Sequence, residues 1–425
     1  MIFLLSSLLF LFHGDRKFTV EKYLFLLLFF SSISAFLVGR QHSWNPDTLI
    51  YVLYVDVLLC FLFNGFRGFR IPRTKDFSNL NKDRLKTVET IISVISIVVL
   101  LIDIFILYRI MGLLLLQQVE VQEFKNEGGA IDMFSHLVPS YLLSFSNMFN
   151  CVGYFSLSLH FYYLVNYNRT KALKYFLFSL TIVVAGLISL SRYTTIQFVL
   201  TYIGLLVYIY PMLGSRIKKS LFKILIFLGV VVFSALYVIS TSRFSDFYTK
   251  KSQNAALISE EDNPVLFSSL DYFSQWEENS TKILKIHKTD DIFYGFYSSF
   301  GVGSYIAKKV MGQDAYAHLV DEKIEKRMGY LSMGFHGPIA RLVFDFGFVG
   351  TILYILFFNI VVRKCSKRGN VVDFKKMCAL PVLLPFPSLF FVGNVFASMN
   401  IDVAIFINYV LCKYVIQDHA KITSN

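Results

Sequence analysis

The sequence predicts an all-α fold, a polytopic integral membrane protein with about eleven transmembrane helices and one large extracytoplasmic loop, forming a single membrane domain over 1–425. Composition is the first reason. Of 425 residues, 55% are hydrophobic, 17% aromatic and only 16% charged, against roughly 25% charged in an ordinary soluble domain. Its 45 Phe and 25 Tyr are spread over the whole chain, so the apolar excess belongs to no single core or anchor. The second reason is a series of separate apolar runs, and the third is the bias of Lys and Arg in the loops between them.

A spanning helix needs about 20 mostly apolar residues. Runs that approach or meet this rule lie at 2–12, 23–39, 49–66, 88–108, 138–165, 175–190, 196–210, 221–240, 342–362, 377–397 and 401–416. The first is short. It lacks a positive n-region and a small-residue cleavage site, so it reads as a short span rather than a signal peptide. The run 138–165 is long enough to hold a broken or re-entrant element, and Pro139, Gly153 and its Ser/Asn content fit one. Five cysteines, Cys60, Cys151, Cys365, Cys378 and Cys412, are scattered without a Cys-x-x-Cys, which points to neither a disulfide framework nor a zinc site.

Positively charged loops stay in the cytoplasm. Residues 67–86 carry seven basic and two acidic residues, and 168–174, 214–219 and 363–370 carry no acidic residue. Alternating spans put all four loops on one side, giving an N-out, C-in arrangement. The other side receives 117–134, the short Ser191-Arg192-Tyr193-Thr194 link and the large loop 241–341, which has twelve Lys/Arg and thirteen Asp/Glu. The formal net charge of +12 is thus a topology signal and not a sign of nucleic-acid binding.

Residues able to do chemistry gather on that second side. Arg192 lies at a tight turn between two spans, where an arginine either snorkels or offers its planar fork to phosphate oxygens. Arg243 follows the next outward span, either as an anchor or as a second cation at similar depth. His336 and Arg341 end the large loop just before the span at 342–362, and Asp345 is placed i,i+4 from Arg341. A histidine there either packs or takes a proton near neutral pH. A carboxylate inside a span costs about 2.5–3.5 kcal/mol unless it is paired or faces a cavity, so Asp345 needs a partner or a role. Asp56 and Asp103 raise the same question with less context. The triplet Asp345-Phe346-Gly347 is not a kinase tag, because its Gly-rich strand turn, strand lysine and catalytic His-Arg-Asp are missing. FYGFYSSFGVGSY, 293–305, is aromatic with Gly at 295, 301 and 303. Its Gly-x-Gly is weak as a nucleotide signal, and its rings suit either sugar stacking or the membrane interface.

Together these residues resemble the bacterial oligosaccharide repeat-unit polymerases, the Wzy-type O-antigen and capsule polymerases, which are related in plan to the O-antigen ligases. The resemblance rests on Ser191-Arg192 at a short outer turn, one long outer loop late in the chain, and that loop's exit. His336, Asp345, Gly347 and Gly350 follow the ligase-like spacing, whereas Arg341 with Asp345-Phe346-Gly347 and the upstream FYGFYSSF follow the polymerases. The asparagine of the polymerase exit is absent. The resemblance implies a metal-independent, GT-C-like glycosyltransferase at the periplasmic face of a bacterial inner membrane, with no cofactor. Its substrates would be undecaprenyl-diphosphate-linked oligosaccharides held in the lipid bilayer, with a chain-length regulator as protein partner. On this basis Arg192 and Arg243 bind the diphosphate, His336 acts as general base with Arg341 and Asp345 beside it, and Tyr193, Tyr294 and Tyr297 contact the glycan. An O-antigen ligase is the nearest rival. A lipid-linked oligosaccharide flippase or transporter is opposed by the long loop and by the lack of internal repeats, and a membrane scaffold is the plainest alternative.

Overall fold

Long apolar runs fold as helices because a helix satisfies its own backbone hydrogen bonds where water is scarce, and helix dominates here. The structure is a computed structural model and describes residues 2–13, 18–39, 46–115, 139–188, 192–219, 221, 264–287, 292–297, 301–320, 335–367, 370–393 and 395–416. Among the described residues the helices begin with α1 (Ile2–Phe12), α2 (Val20–Leu37), α3 (Pro46–Asn64), α4 (Lys82–Leu115), α5 (Ser140–Phe149), α6 (Val152–Val165), α7 (Arg169–Ser179), α8 (Thr181–Ile188) and α9 (Arg192–Ile209). The remainder are α10 (Pro264–Ile286), α11 (Gly301–Met311), α12 (Gln313–Val320), α13 (Gly337–Cys365), α14 (Phe374–Leu383) and α15 (Met399–Val415). Among the described residues two short strands, β1 (Thr74–Asp76) and β2 (Val371–Asp373), pair in parallel with Thr74 opposite Val371.

Among the described residues, six helical stretches are long and apolar enough to cross a membrane: Val20–Leu37, Asp47–Gly68, Lys82–Arg109, Arg169–Ile188, Tyr193–Met212 and Gly337–Cys365. They correspond to six of the expected spans, and the architecture is that of an all-α membrane protein. Their outer faces fit lipid. On α4, Ile91, Val94, Ile97, Leu101 and Ile104 are exposed at helical spacing, as are Val349, Leu353, Phe357 and Ile360 on α13.

The other expected spans fare differently. α1 has 11 residues, short of a crossing. The run 138–165 is broken as expected, but at Asn150-Cys151, between α5 and α6. Gly153 is not the break; it lies inside α6, against the Thr181 hydroxyl. The run 377–397 is no continuous helix. α14 stops at Leu383, one turn follows at Pro385–Ser388, and irregular backbone leads to Gly393. Prolines 381, 385 and 387 remove N–H donors and clash with the preceding turn. Leu380, Leu384, Phe386, Leu389 and Phe390 are all fully buried, so the run is apolar because it is interior. The run 221–240 lies outside the described residues apart from Leu221.

The chain divides into two compact units, Met1–Ile71 with Tyr248–Gly369 and Leu384–Asp402, and Pro72–Phe247 with Asn370–Leu383 and Val403–Asn425. In the first unit α10 packs on α2, α3 and α13. Its Trp276 meets the ring of Phe390 edge-on at 5.2 Å and donates from Nε1 to Ser31 Oγ at 2.7 Å. In the second unit α6 and α7 form a hairpin against α4 and α14. His160 is packed inside it, Nδ1 2.8 Å from the Ala172 carbonyl and Nε2 3.2 Å from the Tyr202 hydroxyl. Asp103, fully buried on α4, accepts from Ser146 Oγ, which itself accepts from Asn150 Nδ2 at 3.2 Å. One oxygen of that carboxylate, Oδ1, thus has a partner, whereas Oδ2 is buried without a hydrogen bond among the described residues.

Candidate functional site

The site begins where the large segment 241–341 returns to α13. Pro338 in the first turn has its φ already set for a helix, and Arg363 and Lys364 in the last turn complement the dipole. Between them Gly347 has φ 68° and ψ −178°, a conformation open almost solely to glycine, and α13 kinks there. The kink separates two environments. Before it, Ile339, Ala340, Leu342, Val343, Phe344 and Asp345 are all buried, whereas beyond it one face is exposed and apolar. Asp345 therefore sits in protein interior and does not face lipid.

Carbonyls on both sides of the kink accept from outside the helix. Phe293 N–H donates to Phe344 O at 3.0 Å, and the Tyr54 hydroxyl donates to Phe348 O at 2.7 Å. The Asp345 carboxylate accepts from the Tyr297 backbone N–H at 2.9 Å. Two motifs 48 residues apart, the aromatic-glycine stretch and the Asp-Phe-Gly, are thus one structural piece. Between its two anchor points the chain makes a tight turn, Phe296 N–H donating to Phe293 O at 3.1 Å. Its central residues Tyr294 and Gly295 have φ of 54° and 88°, the pattern of a type I′ turn. A tyrosine at positive φ is strained. This one is 77% exposed, its ring presented to whatever lies outside. Tyr297 is half-buried, 5.3 Å from the Phe293 ring and 6.4 Å from that of Phe344.

A second set of contacts fixes the residues that lead into α13. Asn279 Nδ2 on α10 donates to the Phe335 carbonyl at 3.1 Å, and the Phe335 N–H donates to Gln275 Oε1 at 3.4 Å. His336 follows as the N-cap residue of α13 and is 3% exposed. Arg341 lies over the Cα of Gly393, where an added Cβ would stand 3.3 Å from Nε and Cζ. From α12, Tyr316 donates to Phe296 O at 2.9 Å. Burial pushes its phenol up to about 12, and the charges of Tyr297 and Asp345 add to the shift.

The first unit thus holds His336, Arg341, Asp345, Tyr294 and Tyr297 within one stretch of α13 and the turn docked on it. Arg192 and Tyr193 are the first two residues of α9, in the second unit, and Tyr193 is half-exposed. Arg243 lies outside the described residues. Four α10 residues, Gln275, Trp276, Glu277 and Asn279, are not among the residues singled out from the sequence, yet they pack and hold the first unit. Glu277 is 2% exposed and accepts from Ser32 Oγ at 2.9 Å. Asp56, 6% exposed, accepts from Ser6 Oγ at 2.5 Å. The sequence signal for the α10 residues is an amphipathic segment in which Trp276 stands among Leu270, Tyr272, Phe273, Ile283 and Leu284. No protein-family model, curated protein or solved structure matches the chain.

Proposed function

We propose that the chain is a metal-independent glycosyltransferase that polymerises undecaprenyl-diphosphate-linked repeat units at the periplasmic face of an inner membrane. The fuller eleven-span topology, with 241–341 as the periplasmic loop, belongs to the same proposal. The observation that carries it is the turn 293–297, anchored by the buried Asp345 carboxylate and presenting Tyr294. An exposed ring held on a strained, tethered turn offers a stacking face at little entropic cost, as sugar recognition requires.

In this reading the acceptor hydroxyl oxygen attacks the anomeric carbon, the bond to the lipid diphosphate breaks, and the diphosphate keeps the electron pair. His336 takes the hydroxyl proton. Arg192 and Arg243 stabilise the charge growing on the leaving diphosphate. Asp345 acts as a positioning residue by holding the turn. The ligase reading is favoured by His336 at the ligase-like spacing from Asp345, and it differs only in the acceptor, lipid A-core.

Deleting the gene and running the surface polysaccharide on a gel separates these readings. A single core-plus-one-unit band supports polymerase. Loss of all capped bands with polymer left on the carrier means ligase, and unpolymerised units held on the inner leaflet mean flippase. Restoring the gene as Arg192→Ala should give full protein and no ladder; a normal ladder removes Arg192 from the mechanism.

A further inference from the structure

The second unit contains a groove unconnected with this chemistry. Lys82 and Lys86 stand one turn apart at the start of α4, and Lys171 and Lys174 at the start of α7. These four lysines line one cavity of about 570 Å³. One acid, Glu89, lies among them. Glu89 is 7% exposed and already engaged, accepting from the Tyr163 hydroxyl and from Lys171 Nζ at 2.8 Å. The groove therefore keeps a surplus of three positive charges. Among the described residues neither Lys82 nor Lys86 has a carboxylate within ion-pair distance. Lys174 Nζ lies over the rings of Tyr175 and Phe178, 5.3 and 5.5 Å from their centroids, contacts that are attractive but carry no net negative charge to offset it.

The lining changes character along α4. After the lysines come Thr90 and Ser93, then Val94 and Ile97. Val94 and Ile97 are 58% and 48% exposed and belong to the apolar face of a membrane-length helix. From Lys82 to Ile97 is about 22 Å of helix. A groove cationic at one end and lipid-facing at the other matches an amphiphile with a phosphate head and hydrocarbon tails. Free inorganic phosphate would use only the first end. Basic side chains at a membrane surface attract anionic headgroups, and here a cavity gathers them around one position. The start of α4 is also on the side to which the loop charges assign the cytoplasm.

We propose that this groove is a binding site for an anionic phospholipid, its phosphate held by Lys82, Lys86, Lys171 and Lys174 and its chains running along Val94 and Ile97. The test uses the full chain purified in detergent, with phosphatidylglycerol, phosphatidylcholine or inorganic phosphate added and retention read by native mass spectrometry. Wild type should retain phosphatidylglycerol over phosphatidylcholine. The triple variant Lys82→Ala/Lys86→Ala/Lys174→Ala should lose roughly tenfold or more in apparent affinity, whereas Arg363→Ala/Lys364→Ala in the first unit should lose none. Glu89→Gln removes the competing charge while keeping an accepting oxygen for Tyr163, and it should tighten retention several-fold. Equal retention of both lipids, or a triple variant that matches wild type, overturns the proposal. Inorganic phosphate bound as tightly as phosphatidylglycerol would reassign the groove to a soluble phosphate.

Discussion

Asp345 in the first unit and Glu89 in the second are both carboxylates buried on long helices, at 0% and 7% exposure, yet they meet different donors. Asp345 accepts a backbone N–H, that of Tyr297, whereas Glu89 accepts from a cation and a phenol, Lys171 and Tyr163. An accepted backbone amide fixes where a piece of chain lies, because the amide cannot move without the chain. A lysine is a flexible tether and fixes little. The carboxylate of the first unit thus builds a turn, and that of the second trims the charge of a groove. Burial alone does not distinguish these uses; the donor does.

The sharpest way to break this contrast is Asp345→Ala, which strips a charged acceptor from the Tyr297 amide and should cost about 3 kcal/mol. We expect a lowered thermal midpoint in detergent and loss of the polysaccharide ladder. Asp345→Asn keeps an accepting oxygen and should keep part of both; an alanine variant as stable as wild type would show that the turn is held by other contacts. Gly347→Ala comes next. Its Cβ would meet Ile292 at 3.3 Å in a backbone conformation that disfavours side chains, at about 2 kcal/mol, and a thermal melt unchanged within error would deny that the kink is required. Lys171→Ala should cost under about 1 kcal/mol, because its side chain is 45% exposed and solvent screens the pair. A loss as large as that of Asp345→Ala would erase the distinction between the two carboxylates. An effect of similar size but opposite sign belongs to Tyr294→Gly, which relieves the φ of 54° and should gain about 0.5–1 kcal/mol. On the proposed function the same variant shortens or abolishes the ladder, so a stabler protein with a normal ladder would remove Tyr294 from glycan binding.

How far the fold could be read from sequence depended on the kind of information each element carries. Hydropathy is local and nearly additive, so α2, α3, α4, the α7–α8 pair, α9 and α13 were legible as spans. At 377–397 the same measure marks a run that the fold buries and breaks into pieces, because an apolar run packed in protein and one facing lipid have the same composition. Its prolines were the available correction. At the site, His336, Arg341 and Asp345 stood out by type and by their place at the end of a loop, and Tyr294 and Tyr297 by their aromatic-glycine setting. That Asp345 serves the Tyr297 amide was not legible, since no local pattern announces a hydrogen bond across 48 residues. Glu277 and Ser32, 245 residues apart, show the same limit.

The sequence by itself thus determined the solvent of this protein and the length of its helices, because both follow from summed side-chain transfer energies along a continuous stretch. Only the tertiary structure decided which polar groups answer one another. A carboxylate's partner is chosen by whichever donor the folded chain brings within about 3 Å, and that choice is made between segments that the sequence keeps far apart.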